Sequence, residues 1–493
     1  MENYNFSEPT RQSIKGIIII VLITLGKRLK QYAILFVYVF FQWYKKTELA
    51  HTYGVYVVVG LCFLLTFWIV RGILVYKNFT FLFKENQFYL HQGIFNKSKT
   101  VIPKSKIQNI HISQSFIQQL LNVVQVTIDS SGDEGDEVEI KALSKPKALA
   151  LKKLLLDRKE QKTEDRSNDA ILVKLNFIDL LLVGITENHF RNLMIIIVAI
   201  VSFYHDIKDL LTEFGTTIDS QFISLFFDNN LFLGSTLIIL FLLISGLLYS
   251  ILTTLILNFN FSIRKKREAF VITKGIFNKT EFTVQLDKIQ SVAYVTNFFK
   301  SRFGLYTVRL FQTATEFKTQ KKRELIGLKN EDLRALENYI FKFSPIKKLV
   351  KNKPHVYYLR QLSLRAFIIV ALFNIYILVL PPLPYLFFLN FLIIPYVAFM
   401  AYLKWKKCYY YFDADYFVFG SGGIDTVTSI IEIHNVQSVR TTQTYFQKKH
   451  KLFNLHLATA SNKFKIPCIE EQEVVKLTNY LLYKIESSEL AWQ

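Results

Sequence analysis

The pentapeptide Gly-Ile-Phe-Asn-Lys occurs twice in this chain of 493 residues, at 93–97 and at 275–279. The likeness continues without a gap at a constant offset of 182 residues (275 minus 93), and a more diverged third copy follows downstream. Because this period is too long for one turn of a solenoid, we expect each copy to be a small domain of its own. The residues that recur in the three copies are Gly93, Ile107 and Gln108; Gly275, Ile289 and Gln290; and Gly422, Val436 and Gln437.

Apolar segments separate the copies. Hydrophobic residues make up 51% of the chain, a share that favours membrane spans over an outsized core. Segments 53–75 and 231–257 exceed the roughly 20 apolar residues that cross a bilayer. Shorter apolar stretches precede them at 32–44 and 190–204, and a Pro-Pro-Leu-Pro turn divides a third apolar region at 364–403. The pattern predicts three helical hairpins, which make six spans.

The distribution of charge orients these hairpins. The loop 209–230 contains acidic residues and no Lys or Arg, whereas basic residues border the copies at 264–267 and 404–407. By the positive-inside rule we predict a multi-pass protein of the cytoplasmic (inner) membrane. Its N-terminus and all three copies would face the cytosol. Segments 14–25 and 175–186 are predicted to be amphipathic helices on the membrane surface.

Each copy repeats a local pattern of short strands closed by a helix, which predicts an antiparallel half-barrel plugged at one end. In the second copy we expect Asn330 to cap the closing helix. The elements predicted in the first copy are strands at 79–84, 87–92, 99–103, 106–113, 124–128 and 137–142 and helices at 115–122 and 146–156.

Three stretches of the first copy, at 93–95, 102–110 and 114–121, resemble the bacterial pleckstrin-homology-like (PH-like) module of YdbS/YdbT-type membrane proteins. The order of hairpin and module, three times over, is similar to the long member of that family across nearly the whole chain. The resemblance implies a PH-like α+β fold and a membrane-bound scaffold role in envelope maintenance or stress resistance. It also implies protein partners in the membrane, including a smaller single-module relative, and it supplies no catalytic residue.

The fold class predicted is therefore six membrane-spanning α-helices, in hairpins, alternating with three PH-like modules of antiparallel strands and a C-terminal helix. The predicted division is 1–76 (surface helix and first hairpin), 77–158 (module 1), 159–189 (linker and surface helix), 190–259 (second hairpin), 260–345 (module 2), 346–404 (linker and third hairpin) and 405–486 (module 3).

Nothing in the sequence favours an enzyme. The nine histidines and three cysteines show no metal-ligand or redox spacing, so we predict no catalytic residue, metal or cofactor. The acidic run at 129–137 is interpreted as a solvated hairpin turn. The net charge of +21 is spread along the membrane borders, which argues against a nucleic-acid partner. A transporter-like or lipid-modifying membrane enzyme remains the alternative function.

Two sets of polar residues each allow two interpretations. The basic run of Arg264, Lys265, Lys266 and Arg267 beside a span either binds anionic lipid headgroups or serves only as a topology signal. The repeated Gln108, Gln290 and Gln437 either line a surface where modules meet each other or a partner strand, or satisfy backbone groups at the turn into the short helix.

Overall fold

The computed structural model describes residues 4–26, 47–130, 138–156, 170–187, 231–266, 268–312, 323–341, 351–379, 387 and 390–487. These residues form two compact units. One unit is Met1–Asp169 with Val271–Thr283, and the other is Ala170–Phe270 with Val284–Gln493. Two strands of module 2 run across the boundary between them.

The strands are β1 (Thr10–Arg11), β2 (Thr80–Lys84), β3 (Gln87–Gln92), β4 (Ser98–Pro103), β5 (Ile107–Gln114), β6 (Val124–Ser130), β7 (Val138–Leu143), β8 (Ala170–Lys174), β9 (Ser262–Lys266), β10 (Ala269–Lys274), β11 (Lys279–Gln285), β12 (Ile289–Thr296), β13 (Tyr306–Gln312), β14 (Glu324–Leu328), β15 (Tyr409–Phe412), β16 (Tyr416–Gly422), β17 (Thr426–Glu432), β18 (Val436–Thr442), β19 (Leu452–Thr459) and β20 (Lys463–Glu470). The helices are α1 (Gly16–Gly26), α2 (Thr47–Asn78), α3 (Phe116–Leu120), α4 (Lys145–Leu156), α5 (Phe177–Thr186), α6 (Leu231–Asn258), α7 (Phe298–Arg302), α8 (Asn330–Ile340), α9 (Tyr357–Val379), α10 (Asn390–Lys407), α11 (Tyr445–Lys448) and α12 (Glu471–Glu486).

Module 1 is built from two antiparallel sheets and a closing helix. The first sheet has the order β1-β2-β3-β4, and β5, β6 and β7 belong to the second. Alternate residues of the strands point inward, so Phe81 and Phe88 of the first sheet meet Ile110 and Ile128 of the second. Leu151 of α4 closes this core. Every element predicted for module 1 is present within one residue of its predicted bounds, except that the C-terminal ends of helix 115–122 and strand 124–128 differ by two residues.

Module 3 repeats this plan inside the second unit. Strands β15, β16 and β17 make its first sheet, β18, β19 and β20 its second, and Val474 and Leu481 of α12 pack into the shared core. The closing helix of module 2 corrects one prediction. Its cap is Lys329, not Asn330, because the Asp332 carboxylate accepts a hydrogen bond of 3.0 Å from the Lys329 backbone N–H.

Each module also receives a preceding segment that sequence patterns did not predict. The short β1 pairs with β2, and β8 pairs with β9. In module 3 a single bridge joins Asn352 to Tyr410. The linker 157–169 before β8 lies outside the described residues.

Two helical segments of the described chain are long and apolar enough to cross a membrane, Leu240–Asn258 and Tyr357–Leu378. Only 17% and 6% of their respective apolar windows are buried, so they are not core helices. The described residues thus contain two candidate spans, whereas the sequence predicted six in the whole chain. The predicted surface helices correspond to α1 and α5. Segments 32–44 and 190–204 and the turn at 381–384 lie outside the described residues.

Candidate binding surfaces at the module junctions and in a cavity

Modules 1 and 2 are joined by a pair of strands, one from each module. The half-barrel predicted from the sequence was a domain of its own and did not include such a pair. In the first unit, β11 of module 2 lies antiparallel to β5 of module 1, so the sheet order there is β7-β6-β5-β11. Gln114 is opposite Lys279, and Ile112 is opposite Glu281. The backbone groups of an edge strand are thereby satisfied by the next module.

Side chains reinforce this first junction. The Phe116 ring meets the Phe277 ring edge to face, with centroids 5.6 Å apart. The Gln119 amide donates to the carbonyl oxygens of Ile276 and Phe277 at 2.8 and 2.9 Å. Module 1 therefore recognises the hairpin tip of module 2 through its short helix α3 as well as through β5.

Modules 2 and 3 are joined in the same way in the second unit. Strand β17 lies antiparallel to β12, with Ala293 opposite Ser429. Seven of the eight side chains of β12 are buried. The Asn435 amide donates to the Gln290 carbonyl at 3.4 Å, and the Tyr416 and Phe341 rings meet edge to face at 5.7 Å.

The register of the two junctions is identical. Gln114 of module 1 corresponds to Thr296 of module 2 in the repeat, and Lys279 of module 2 corresponds to Thr426 of module 3. Gln114 is opposite Lys279, and Thr296 is opposite Thr426. The register of a strand pair is set by which side chains become buried. Because the register is the same at both junctions, we interpret them as two copies of one contact.

The repeated glycines and apolar residues have structural roles. Gly93, Gly275 and Gly422 have φ values of 109°, 102° and 123°, a region that disfavours other residues. A Cβ on Gly93 would also collide with the Asn96 carbonyl. The repeated apolar position is buried in all three modules. Its residues are Ile107, Ile289 and Val436, which begin strands β5, β12 and β18.

The repeated glutamines do not share one environment. Gln290 is only 3% exposed, at the junction with module 3, whereas Gln437 is exposed on β18. The side chain of Gln108 lies outside the described residues. A common role at the turn would bury Gln290 and Gln437 alike, so their difference favours the interpretation that this position lines a surface where modules meet.

A different repeated polar position was missed. Gln118, Lys300 and Gln447 occupy equivalent places in α3, α7 and α11, and all three are buried. The Gln118 amide donates to the Lys141 carbonyl at 2.7 Å, and the Lys300 ammonium lies 2.8 Å from a Glu187 oxygen. The same repeat alignment that found the glutamines contains this position, but a change from Gln to Lys hid the shared burial.

A cavity of about 840 Å³ lies in the first unit, within the size range of small-molecule sites. Most of its lining is apolar, including Phe67 and Leu74 of α2. Arg71 and Gln12 also line it. Gln12 is 4% exposed, and among the described residues its Oε1 atom has no hydrogen-bond partner. The cavity therefore combines an apolar wall with two cations, Arg71 and Lys141, and one carboxylate, Glu139.

The basic run of module 2 is not gathered into one patch. Lys265 covers the Tyr339 ring, with its Nζ atom 3.7 Å from the ring centroid. Because side chains alternate along β9, Arg264 and Lys266 lie on the opposite face, and Ile171 of β8 pairs with Arg264. Lys266 is the exposed member, and Arg267 lies outside the described residues.

Reactive side chains in the described part of the chain are not grouped around a metal site. The residues described there include no group of three or more His, Cys, Asp or Glu placed to hold a metal ion. Burial, with a smaller effect of Cys468, raises the pKa of the Cys408 thiol to about 12, which keeps it protonated and unreactive. Burial and the neighbouring Glu337 raise the pKa of Tyr294 well above its ordinary value.

Comparison with known proteins agrees with this architecture. Residues 15–159, 214–343 and 365–485 each match the family described as Bacterial PH domain. The chain is also similar to the UPF0699 transmembrane protein YdbT of Bacillus subtilis (strain 168), with 23% identity over 480 residues that cover 92% of this chain and 94% of the relative. The resemblance drawn from the sequence is confirmed. The chain, with three matches that together cover most of its length, belongs to the bacterial PH domain family.

Proposed function

We propose that the chain is an integral membrane scaffold that presents three PH-like modules to membrane protein partners or anionic lipid. The observation that carries this proposal is the pair of junctions with one register, because in each unit the paired edges join strands of neighbouring modules. Joined binding modules suit a scaffold, whereas an enzyme requires a converging set of reactive groups.

The proposed topology keeps six spans in the cytoplasmic membrane with every module on the cytosolic side. The apolar helices Leu240–Asn258 and Tyr357–Leu378 support it, as do the 32-residue α2 and the charge asymmetry of the loops. The proposed role is in maintenance of the cell envelope.

Cysteine labelling tests this topology. Single cysteines at Ser130, Thr216 and Ser461, in a chain without native cysteines, are exposed on intact cells to a maleimide that does not cross membranes. We expect labelling only at position 216, since positions 130 and 461 lie in modules 1 and 3 and would be cytosolic. The control is labelling of all three after permeabilisation, and labelling of position 130 or 461 on intact cells would refute the topology.

The cavity of module 1 supports lipid as one ligand of the scaffold. An acyl chain would lie against Phe67 and Leu74, while an anionic headgroup would meet the Arg71 guanidinium.

Replacing Arg71 with glutamine should reduce bound anionic lipid about fivefold, since one cation near the membrane surface contributes about 1 kcal/mol. The measurement is native mass spectrometry of the purified chain titrated with phosphatidylglycerol. Lys266→Gln removes one exposed cation outside the cavity and is the matched control. An equal loss in both variants would show that the cavity is not the site, and a loss confined to Lys266→Gln would favour the basic run instead.

A further inference from the structure

Among the described strands, two sheet edges lack the neighbouring strand that their counterparts in the repeat have. Within the described residues, β4 pairs only with β3, and β18 pairs only with β19. These are the same two strand positions that form both internal junctions, since β4 corresponds to β11 and β17, and β18 corresponds to β5 and β12. In module 1, the edge of β4 is therefore open to a β18-type strand. In module 3, the edge of β18 is open to a β4-type strand.

The side chains of β18 are those of a strand whose edge is exposed to solvent. Four of the seven side chains of β18 are exposed, whereas seven of the eight in β12 are buried. Arg440 of β18 stands where β12 has the buried Ala293. A charged residue on an exposed strand discourages indiscriminate pairing and still permits a partner that leaves the charge in water.

The shared register predicts how the two unused edges would pair. Carried over to β18 and β4, it places Thr442 opposite Ser98, Thr441 opposite Lys99, Arg440 opposite Thr100 and Val439 opposite Val101. No like charges face each other, because Arg440 and Lys99 point to opposite faces of the sheet. The Lys99 ammonium already lies 5.1 Å from the Tyr89 ring centroid, away from the open edge.

Aromatic residues also lie beside the two open edges, at the repeat positions that form the aromatic contact of the first junction. Phe116 and Phe277 meet there, and their repeat counterparts are Tyr445 beside β18 and Phe95 beside β4. Phe95 is 94% exposed and Tyr445 is 73% exposed. In the first junction Phe116 and Phe277 are 57% and 45% exposed, so a contact of the same kind would cover part of each ring.

We propose that β18 of one copy pairs with β4 of a second copy of this chain, with Tyr445 of the first covering Phe95 of the second. This inference rests on the proposed scaffold function and names one of its protein partners. The contact uses different surfaces on the two copies, so it would close into a ring or extend as a row in the membrane. Each added copy would pair with the previous one in the same register that joins the modules within one chain.

Disulfide trapping between two differently tagged copies of the full chain tests the pairing. One copy carries Thr441→Cys and the other Lys99→Cys, and both lack the native cysteines. Directly opposite Cβ atoms lie about 4.5–5.5 Å apart, close to disulfide distance. We expect mild oxidation in membranes to give a product of twice the 57.7 kDa chain that carries both tags and disappears on reduction.

Two controls make the outcome decisive. Thr441→Cys with Thr100→Cys is one residue out of register and should give little product, because a one-residue shift places the side chains on opposite faces. Thr296→Cys with Thr426→Cys, opposite each other at the second junction, should form a disulfide within one chain. If this internal pair forms and the 441–99 pair does not, the second copy is refuted as the partner of β18. If the internal pair also fails, the proposed scaffold itself is refuted.

Discussion

The Ala293→Arg variant is expected to separate module 2 from module 3 and to lower the free energy of unfolding of the second unit by about 3–5 kcal/mol. Ala293 is 2% exposed and lies opposite the buried Ser429 in the strand pair that joins these modules. An arginine there would place an unpaired charge in a closed interface, and a buried uncompensated charge costs about 3–5 kcal/mol.

The matched control is Arg440→Ala. Arg440 occupies the same repeat position on the exposed strand β18, so its removal should change the free energy of unfolding by less than about 0.5 kcal/mol. Thermal unfolding in detergent and the yield of the 296–426 disulfide measure the two effects. Equal behaviour of the two variants would contradict the assignment of β12 to a buried junction.

Replacing Glu187 with alanine is expected to destabilise the second unit by about 3 kcal/mol, because it leaves the Lys300 ammonium buried without its counter-ion. Lys300 is 5% exposed, its Nζ lies 2.8 Å from the Glu187 carboxylate, and its other described partner is the Thr307 hydroxyl at 3.2 Å. We expect the midpoint of thermal unfolding to fall by roughly 5 °C or more.

A second substitution distinguishes a lost ion pair from a general loss of packing. Adding Lys300→Met to Glu187→Ala removes the orphaned charge and should restore most of the stability. The control is Lys329→Ala, which breaks the ion pair of 3.0 Å between Lys329 and Asp179 at an exposed position and should cost less than about 1 kcal/mol. Failure of the Lys300→Met substitution to restore stability would show that the Lys300 charge is not the cause.

Much of each module was predictable because its signals are local. Alternating apolar residues located the strands, and repetition at a constant offset located the turns at Gly93 and Gly275. The strand β8 was missed because it has only five residues and its partner β9 begins much further along the chain, at Ser262. The cap of α8 was misplaced by one residue because Asp332 reaches back to the Lys329 N–H.

The junctions between modules could not be predicted from local sequence patterns. Pairing between β12 and β17 joins residues more than 100 positions apart, and an isolated strand does not show whether its free edge will meet solvent or another module. The contrast between buried Gln290 and exposed Gln437 becomes informative only when burial is known. The cavity was unpredictable for a similar reason, since Gln12 and Arg71 are 59 positions apart (71 minus 12) and belong to different elements.

Amide hydrogen exchange tests the central claim, that neighbouring modules are joined through their sheet edges, most directly. The measurement uses the full-length chain in detergent at a concentration where it is monomeric, and it compares β12 and β17 with β18. The structure predicts slow exchange throughout β12 and β17, because both have strands on each side, and fast exchange at the outward amides of β18. Exchange of β12 and β17 as fast as that of β18 would contradict it.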